Sequence, residues 1–224
     1  MVKLYIDPGH GGSDTGAVGN GLQEKDLTLD IALRIRDLLV RDYQDVEVRM
    51  SRTTDVDRGL SQRTDEANAW GADYFLSIHV NAFNGSAHGY EDYIHSSLSD
   101  SSRTAQYRDT MHEEIMKVNN LFNRGKKKAN FHVLRETRMS ALLTENGFID
   151  NASDAEKLRD PNWRQSVAQG HVNGLARAFN LTRKTMYRII VDGVQVGAFQ
   201  EEQNILNAVQ RYLGTAHRVI VERV

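Results

Sequence analysis

The chain has 224 residues, of which 40% are hydrophobic and 26% charged, a balance typical of a globular protein that buries a core. Its net charge of −2 argues against a polyanionic partner, so we do not expect it to bind nucleic acid. The sequence contains no cysteine, which excludes a disulfide framework, a thiolate metal site and a cysteine nucleophile.

The N-terminal sequence MVKLYIDPGHGG enters an apolar strand directly and lacks the apolar core and cleavage site of a signal peptide. No apolar run approaches the roughly 18 residues that a membrane-spanning helix needs. We therefore expect synthesis in the cytoplasm without a signal peptide and without a membrane span. If the protein acts outside the producing cell, a separate event has to release it.

Strand-like and helix-like segments alternate to about residue 180, and this alternation predicts an α/β fold. The expected architecture is a mixed twisted sheet flanked by helices on both faces. The predicted elements in chain order are strand Lys3–Ile6, a helix with Leu27, Ile31, Ile35 and Leu38 at helical spacing, strand Val46–Ser51, helix Leu60–Trp70, strands Tyr74–Val80 and Gly89–His95, helix Ser102–Val118, strands Phe131–Leu134 and Ala141–Leu143, and helix Asp154–Phe179 with a restart at Pro161. The basic run Lys126, Lys127 and Lys128 is interpreted as a solvated face.

The sequence pattern changes after residue 181, where a short polar joint begins. We predict one domain at residues 1–181 and a small α+β module of ββαβ order at 185–224. Its predicted elements are strands Met186–Val191 and Val194–Phe199, helix Glu201–Leu213 and strand Arg218–Val224. A unit of about forty residues is marginal alone, so we expect it to pack on its neighbour or to pair with another copy.

Four residues have the chemistry of a hydrolytic metal site. His10, Glu24 and His79 are two imidazoles and a carboxylate, the set that leaves a fourth zinc position open for water. Glu145 then supplies a carboxylate that takes the proton of the water. The ligands are far apart in sequence and match no short metal motif. A second interpretation therefore stays open, in which His10 and His79 are loop and core histidines and Glu24 favours a helix N-terminus.

The sequence motifs around these residues identify a family more specifically than the spacing of the residues does. Asp7-Pro8-Gly9-His10-Gly11-Gly12, Glu24 before the first helix, Ser77 to Ala82 and Leu143 to Asn151 resemble, in order, the signature blocks of the zinc N-acetylmuramoyl-L-alanine amidases. These enzymes cut the bond between the lactyl group of N-acetylmuramic acid and the first L-alanine of the peptidoglycan stem. The resemblance covers about residues 2–180, with further matches at Ser51–Asp55, Leu60–Asn68, Gly89–Glu91 and Phe131–Arg135. One departure is Ser140, where the family usually has proline.

The resemblance implies a zinc ion on His10, Glu24 and His79, with Glu145 as general base and acid and peptidoglycan as substrate. Three weaker candidates for substrate binding are Asn81, His132 and Arg135. Two further acidic residues, Asp14 and Glu91, are candidates for a place near the metal, but for these we favour hydrogen bonding within loops.

The C-terminal segment from Val194 to Phe199, VQVGAF, resembles the wording of sporulation-related repeat domains. That resemblance implies a module that binds cell wall, with Tyr187, Phe199 and Tyr212 as available aromatic contacts. A packing appendage without a ligand is the alternative.

Three functions remain open at this stage. The resemblance favours a peptidoglycan amidase, either a phage endolysin or a mother-cell lytic enzyme, that reaches the wall through a holin-like pore or on lysis of the cell. The second candidate is another zinc peptidase or deacylase on the same scaffold. The third is a catalytically dead wall-binding protein, against which the presence of all four chemical residues argues.

Overall fold

The computed structural model describes all 224 residues and divides the chain into two compact units, Met1–Leu181 and Thr182–Val224. The larger unit is the predicted α/β fold with a mixed sheet, and the smaller is built on an antiparallel sheet. No helix in either unit combines the length and the apolar character required to cross a membrane.

Six strands of the larger unit form one sheet and two short strands form a separate hairpin. The bounds are β1 (Val2–Pro8), β2 (Val18–Gly19), β3 (Leu22–Gln23), β4 (Val46–Met50), β5 (Tyr74–Asn81), β6 (Tyr90–His95), β7 (Asn123–Ala129) and β8 (Ser140–Phe148). The sheet has the order β4-β1-β5-β8-β6-β7, and only β8 and β6 pair antiparallel. Because β1, β5 and β8 are parallel, their C-terminal ends meet at one edge, where sites in such sheets form.

Helices cover both faces of this sheet, as predicted. They are α1 (Glu24–Asp42), α2 (Leu60–Trp70), α3 (Arg103–Met116), α4 (His132–Arg135), α5 (Ala152–Arg159) and α6 (Pro161–Phe179). On one face, α1, α3 and α6 enclose the main core, and the apolar positions predicted for α1 are buried in it. On the other face, α2 and α4 cover a smaller core.

The predicted restart at Pro161 is confirmed. Asp160 separates α5 from α6, and its side chain accepts a hydrogen bond from the Asn162 amide at 2.8 Å. Proline fits the first position of a helix because its missing N–H has no partner to lose there.

Two segments differ from their sequence interpretation. The strand predicted at Phe131–Leu134 is wrong, because this segment enters the short helix α4, which buries Val133 and Leu134. The lysine run lies in β7, an edge strand that the sequence did not predict, and Lys126 and Lys128 are exposed there, as expected for a solvated face. The run contacts carboxylates, with Lys126 Nζ 3.1 Å from Asp109.

The smaller unit has the predicted ββαβ order. It consists of β9 (Tyr187–Val191), β10 (Val194–Phe199), α7 (Glu202–Gln210) and β11 (Val219–Arg223), with β9 in the centre of the sheet. Ile189 of β9 and Ala208 of α7 are its buried apolar residues. So small a core agrees with the limited surface that forty residues can bury.

Candidate active site

Three elements bring His10, Glu24 and His79 together. His10 follows β1, Glu24 is the first residue of α1, and His79 lies near the end of β5. Glu24 Oε2 is 3.1 Å from His10 Nε2, and Glu24 Oε1 is 2.8 Å from His79 Nδ1. One ligand atom from each residue lies within 4.8 Å of the others. The three residues that the sequence singled out therefore form one cluster.

The donor set of this cluster fits a divalent metal ion such as zinc. Burial acts to raise the pKa of Glu24, but the hydrogen bonds and charges of His10 and His79 outweigh it and hold the pKa well below the ordinary range. Glu24 is thus an ionised carboxylate beside two imidazole nitrogens.

Two glycines make room for the cluster. A Cβ at Gly9 would lie 2.3 Å from His79 Cε1, so a side chain there would displace the imidazole. Gly16 has a φ of +62°, and a Cβ there would lie 2.6 Å from Glu24 Oε2. The glycine-rich loop after β1 therefore brings backbone against the cluster where no other residue fits.

Asp14 orients the His10 ring. Its Oδ2 is 2.8 Å from His10 Nδ1, and its Oδ1 accepts from the Gly16 amide at 3.0 Å. A carboxylate on the far nitrogen fixes the tautomer that leaves Nε2 free to face a metal. Burial acts to lower the pKa of His10, but the hydrogen bonds and charges of Glu24 and Asp14 outweigh burial, so the pKa of His10 lies above its ordinary value. The sequence left two roles open for Asp14, a place near the proposed metal and hydrogen bonding within the loop, and its contacts with His10 and Gly16 agree with both.

Glu145 lies on β8 directly opposite His79 on β5 and Glu91 on β6. Residues opposite each other in a sheet point to the same face, so these side chains form one row. Glu145 Oε2 is buried and has no hydrogen-bond partner. Burial, and then the charges of Glu24 and Glu91, raise the pKa of Glu145 well above its ordinary value. A carboxyl group in such surroundings binds a proton readily.

A cleft of about 550 Å³ opens on this face, and His10, His79 and Glu145 belong to its lining. Part of the wall is apolar, with Leu60 and Phe131 among its residues. The volume is that of typical small-molecule sites, which leaves room for more than a single amide group.

The three predicted substrate contacts have different positions. His132 lines the cleft, and its Nε2 is buried without a hydrogen-bond partner. Asn81 donates to Glu91 at 2.9 Å, which uses its amide within the protein. Arg135 bonds Glu136 and Asn130 and is not among the cleft-lining residues. Contact with substrate stays a prediction for all three.

Glu91 is the centre of a cluster of hydrogen-bonded side chains that the sequence did not predict. Its Oε1 accepts from Asn81 Nδ2 at 2.9 Å and from Tyr93 Oη at 2.6 Å. Its Oε2 accepts from Arg124 Nε at 2.6 Å and from Lys127 Nζ. We call these five residues the Glu91 cluster. They lie beside Glu145, and each oxygen of Glu91 accepts from two protein donors.

Comparison with known proteins identifies the family. Residues 4–177 match the family model described as N-acetylmuramoyl-L-alanine amidase. The chain is 58% identical over 206 residues to the N-acetylmuramoyl-L-alanine amidase CwlM of Bacillus licheniformis, and the match covers 91% of this chain and 78% of that protein. It is 52% identical over 204 residues to the sporulation-specific N-acetylmuramoyl-L-alanine amidase of Bacillus subtilis, with coverage of 91% and 78%.

A solved structure agrees with the sequence matches. The catalytic domain of CwlV, an N-acetylmuramoyl-L-alanine amidase from Bacillus (Paenibacillus) polymyxa, superposes with a TM-score of 0.77 at 33% identity, covering 81% of this chain and 100% of that domain. The fold, the family model and the two relatives all lead to one conclusion: this chain belongs to the N-acetylmuramoyl-L-alanine amidase family.

Proposed function

We propose that this protein is a zinc-dependent peptidoglycan amidase that hydrolyses the bond between N-acetylmuramic acid and the first L-alanine of the stem peptide. The observation that carries the proposal is the His10, Glu24 and His79 cluster, whose ligand atoms lie within 4.8 Å of one another, with Glu145 opposite His79 on the next strand. Family membership supplies the scissile bond, and the cluster supplies the metal chemistry.

His10, Glu24 and His79 would hold the zinc, with Asp14 fixing the His10 ring through its 2.8 Å contact. Zinc in such a site polarises a carbonyl group and makes water more acidic. The remaining steps fall to the protein. Since Gly9, His10 and His79 line the cleft, the amide carbonyl of the substrate can approach the cluster from it.

Glu145 is the proposed general base and acid. It takes a proton from the attacking water as the new C–O bond forms at the carbonyl carbon. It then returns that proton to the L-alanine nitrogen as the C–N bond breaks, which releases a free amine and a lactyl carboxylate. The raised pKa of Glu145 suits this role because the group has to keep the proton between the two steps.

Metal analysis combined with product analysis tests the proposal. The wild-type protein should contain one zinc per chain and should release intact stem peptides with free L-alanine amino ends from purified peptidoglycan. His79→Ala should lose the metal and the activity, whereas His95→Ala, at a partly buried histidine of β6 outside the cluster, should keep both. Products cut within the stem, or from another acyl group, would show a peptidase or deacylase instead.

For the smaller unit we propose cell-wall binding. The unit has its own sheet, and Tyr187, Phe199 and Tyr212 are its candidate aromatic contacts for sugar. Tyr187→Ala in the full chain should reduce retention on insoluble peptidoglycan while leaving hydrolysis of soluble fragments unchanged. Equal retention would argue for a packing appendage. Self-association through this unit also stays a prediction, which the mass of the intact protein in solution tests.

For the biological setting we propose wall lysis during sporulation, supported by the 52% identity to a sporulation-specific relative. Deletion should leave mother-cell walls uncleared at the end of sporulation, and a wild-type rate of clearance would contradict this setting. A phage endolysin, and release through a holin-like pore or on cell lysis, stay predictions.

A further inference from the structure

The loop that carries His10 is held by two buried arginines that lie outside the ligand set. Arg52 and Arg63 are 2% and 3% exposed, and both guanidinium groups lie under the end of β1. They come from segments 51–55 and 60–68. These segments resemble the sequence motifs of the amidase family but have no role in the chemistry described above. Their contacts show a common target, the backbone between Pro8 and His10.

Three successive carbonyl groups of this loop face the arginines. The Pro8 oxygen accepts from Arg63 Nη1 at 2.7 Å and from Arg52 Nε at 3.2 Å. The Gly9 oxygen accepts from Arg52 Nη2 at 2.9 Å, and the His10 oxygen accepts from Arg63 Nη2 at 2.8 Å. Every carbonyl from Pro8 to His10 is thus turned towards a buried cation.

This arrangement explains an unusual backbone conformation. His10 has a φ of +62°, in the left-handed region that residues other than glycine rarely adopt. Such a conformation persists only where the surroundings hold it. The Arg63 bond to the His10 oxygen is one such restraint, and it acts on the peptide that follows the strained angle. With the carbonyl fixed inward, the imidazole is left to face Glu24.

The same two arginines connect the loop to the elements that carry the other ligands. Arg52 Nη2 also donates to the Lys25 oxygen at 2.8 Å, one residue after Glu24 in α1. Arg63 Nη1 bonds Asp7 Oδ1 at 2.6 Å, and Asp7 Oδ2 accepts from Ser77 Oγ at 2.8 Å, two residues before His79 in β5. Each of the three ligands therefore has a neighbour tied to this pair.

The pair is electrostatically costly, which argues against incidental packing. Two guanidinium groups are buried beside each other with one carboxylate, Asp7, bonded to Arg63. Burial, and then the charge of Arg63, lower the pKa of Arg52. The positive charge is offset by Asp7, Asp55 and Asp26 together with the inward-facing carbonyl dipoles, so the loop conformation and the arginine pair stabilise each other.

We propose that Arg52 and Arg63 are positioning residues that set the geometry of the metal site by fixing the backbone of residues 8–10. The inference rests on the proposed metal site and extends it to residues that contact the backbone of the ligand loop and not the ligand atoms themselves. Asp14 orients His10 through the ring, whereas the arginine pair orients it through the main chain. Loss of outer partners of metal ligands typically lowers metal affinity 10–100-fold.

The test compares Arg63→Lys with Arg108→Lys in the full-length protein. Lysine can keep the ion pair with Asp7, but its single ammonium group cannot also replace the planar fork that reaches the His10 and Arg58 oxygens. Arg108 is the matched control, because its side chain is 5% exposed and pairs with Asp109 on α3. Zinc affinity is measured by chelator competition, and ligand geometry by the absorption spectrum of the cobalt-substituted protein.

We expect Arg63→Lys to bind zinc about 10–100-fold more weakly and to change the cobalt spectrum, while Arg108→Lys stays within about twofold of wild type. Wild-type affinity and spectrum in Arg63→Lys, even with reduced stability, would overturn the proposal. If Arg63→Lys does not fold without metal, Arg52→Lys is measured in the same way, and wild-type values there overturn it equally. A wild-type protein that binds no zinc would remove the proposed metal function, and this inference with it.

Discussion

Two carboxylates that stand side by side in the sheet have opposite surroundings. Glu91 receives hydrogen bonds on both oxygens from the other members of its cluster. Glu145, directly opposite on β8, has a buried Oε2 without a partner. Buried polar groups are normally hydrogen-bonded, so an oxygen without a partner indicates a group reserved for substrate or proton. The difference separates a structural acid from a catalytic one of the same residue type.

The largest effect that this comparison predicts is on the rate of hydrolysis. Glu145→Gln removes the proton acceptor but keeps the shape of the side chain, so kcat should fall by about 10²- to 10⁴-fold. Zinc content should stay at the wild-type value, because Glu145 is outside the ligand cluster. The free energy of unfolding should change by less than about 1 kcal/mol, since Oε2 has no hydrogen bond to lose. Wild-type lysis by this variant would remove Glu145 from the mechanism.

At Glu91 we expect the opposite result, a loss of stability without a comparable loss of activity. In Glu91→Gln, Oε1 can keep the bonds from Asn81 and Tyr93, but an NH₂ group replaces the Oε2 that faces Arg124 and Lys127. The free energy of unfolding should fall by about 1–3 kcal/mol, less than for a fully buried pair because both cations are about one-third exposed. Urea unfolding at pH 7 measures this loss.

Activity is the control for the second prediction. Because four protein donors already occupy both oxygens of Glu91, we expect kcat of Glu91→Gln to stay within about tenfold of wild type, far above Glu145→Gln. If Glu91→Gln is instead as inactive as Glu145→Gln and as stable as the wild-type protein, the distinction between a structural and a catalytic carboxylate fails.

Elements with a clear local pattern could be predicted from the sequence. The helix at Leu60–Trp70 was predicted with both ends correct, and Gly71 follows it with a φ of +69°, a common helix stop. The sequence motifs around His10, Glu24 and His79 predicted a common site, and the three residues do lie together, although their binding of zinc stays a prediction.

Features that depend on distant contacts could not be predicted in this way. The ion pairs of Lys126 and Lys127 in β7 could not be predicted from the lysine run, because Asp109 of α3 and Glu91 of β6 are not its neighbours in the sequence. Phe131–Leu134 is too short for its periodicity to distinguish a strand from the helix α4. Arg63 and Asp7 are 56 residues apart, and only the fold shows that they meet under the metal site.

The third prediction concerns how the stability contributed by Glu91 depends on pH. Burial acts to raise the pKa of Glu91, but Lys127, Tyr93 and Arg124 outweigh it and hold the pKa below its ordinary value of 4.5. A group whose pKa is lower in the folded state adds stability above the unfolded pKa and loses it as pH falls through the folded pKa. Wild type should therefore lose its advantage over Glu91→Gln as pH falls below 4.5. A difference in unfolding free energy that stays constant from pH 7 to acid would contradict the ionised state of Glu91.

The smallest predicted effect isolates one bond of the Glu91 cluster. Tyr93→Phe removes the hydroxyl that donates to Glu91 Oε1 at 2.6 Å but keeps the ring that packs 5.2 Å from Phe131. The free energy of unfolding should fall by about 1 kcal/mol, the net value of one hydrogen bond in a partly exposed position. Combined with Glu91→Gln, the loss should be less than the sum of the two single changes, because both act on the same carboxylate. Because Oε1 can still accept the Tyr93 hydrogen bond in Glu91→Gln, strict additivity in this double-mutant cycle would mean that the charge of Glu91 does not strengthen that bond.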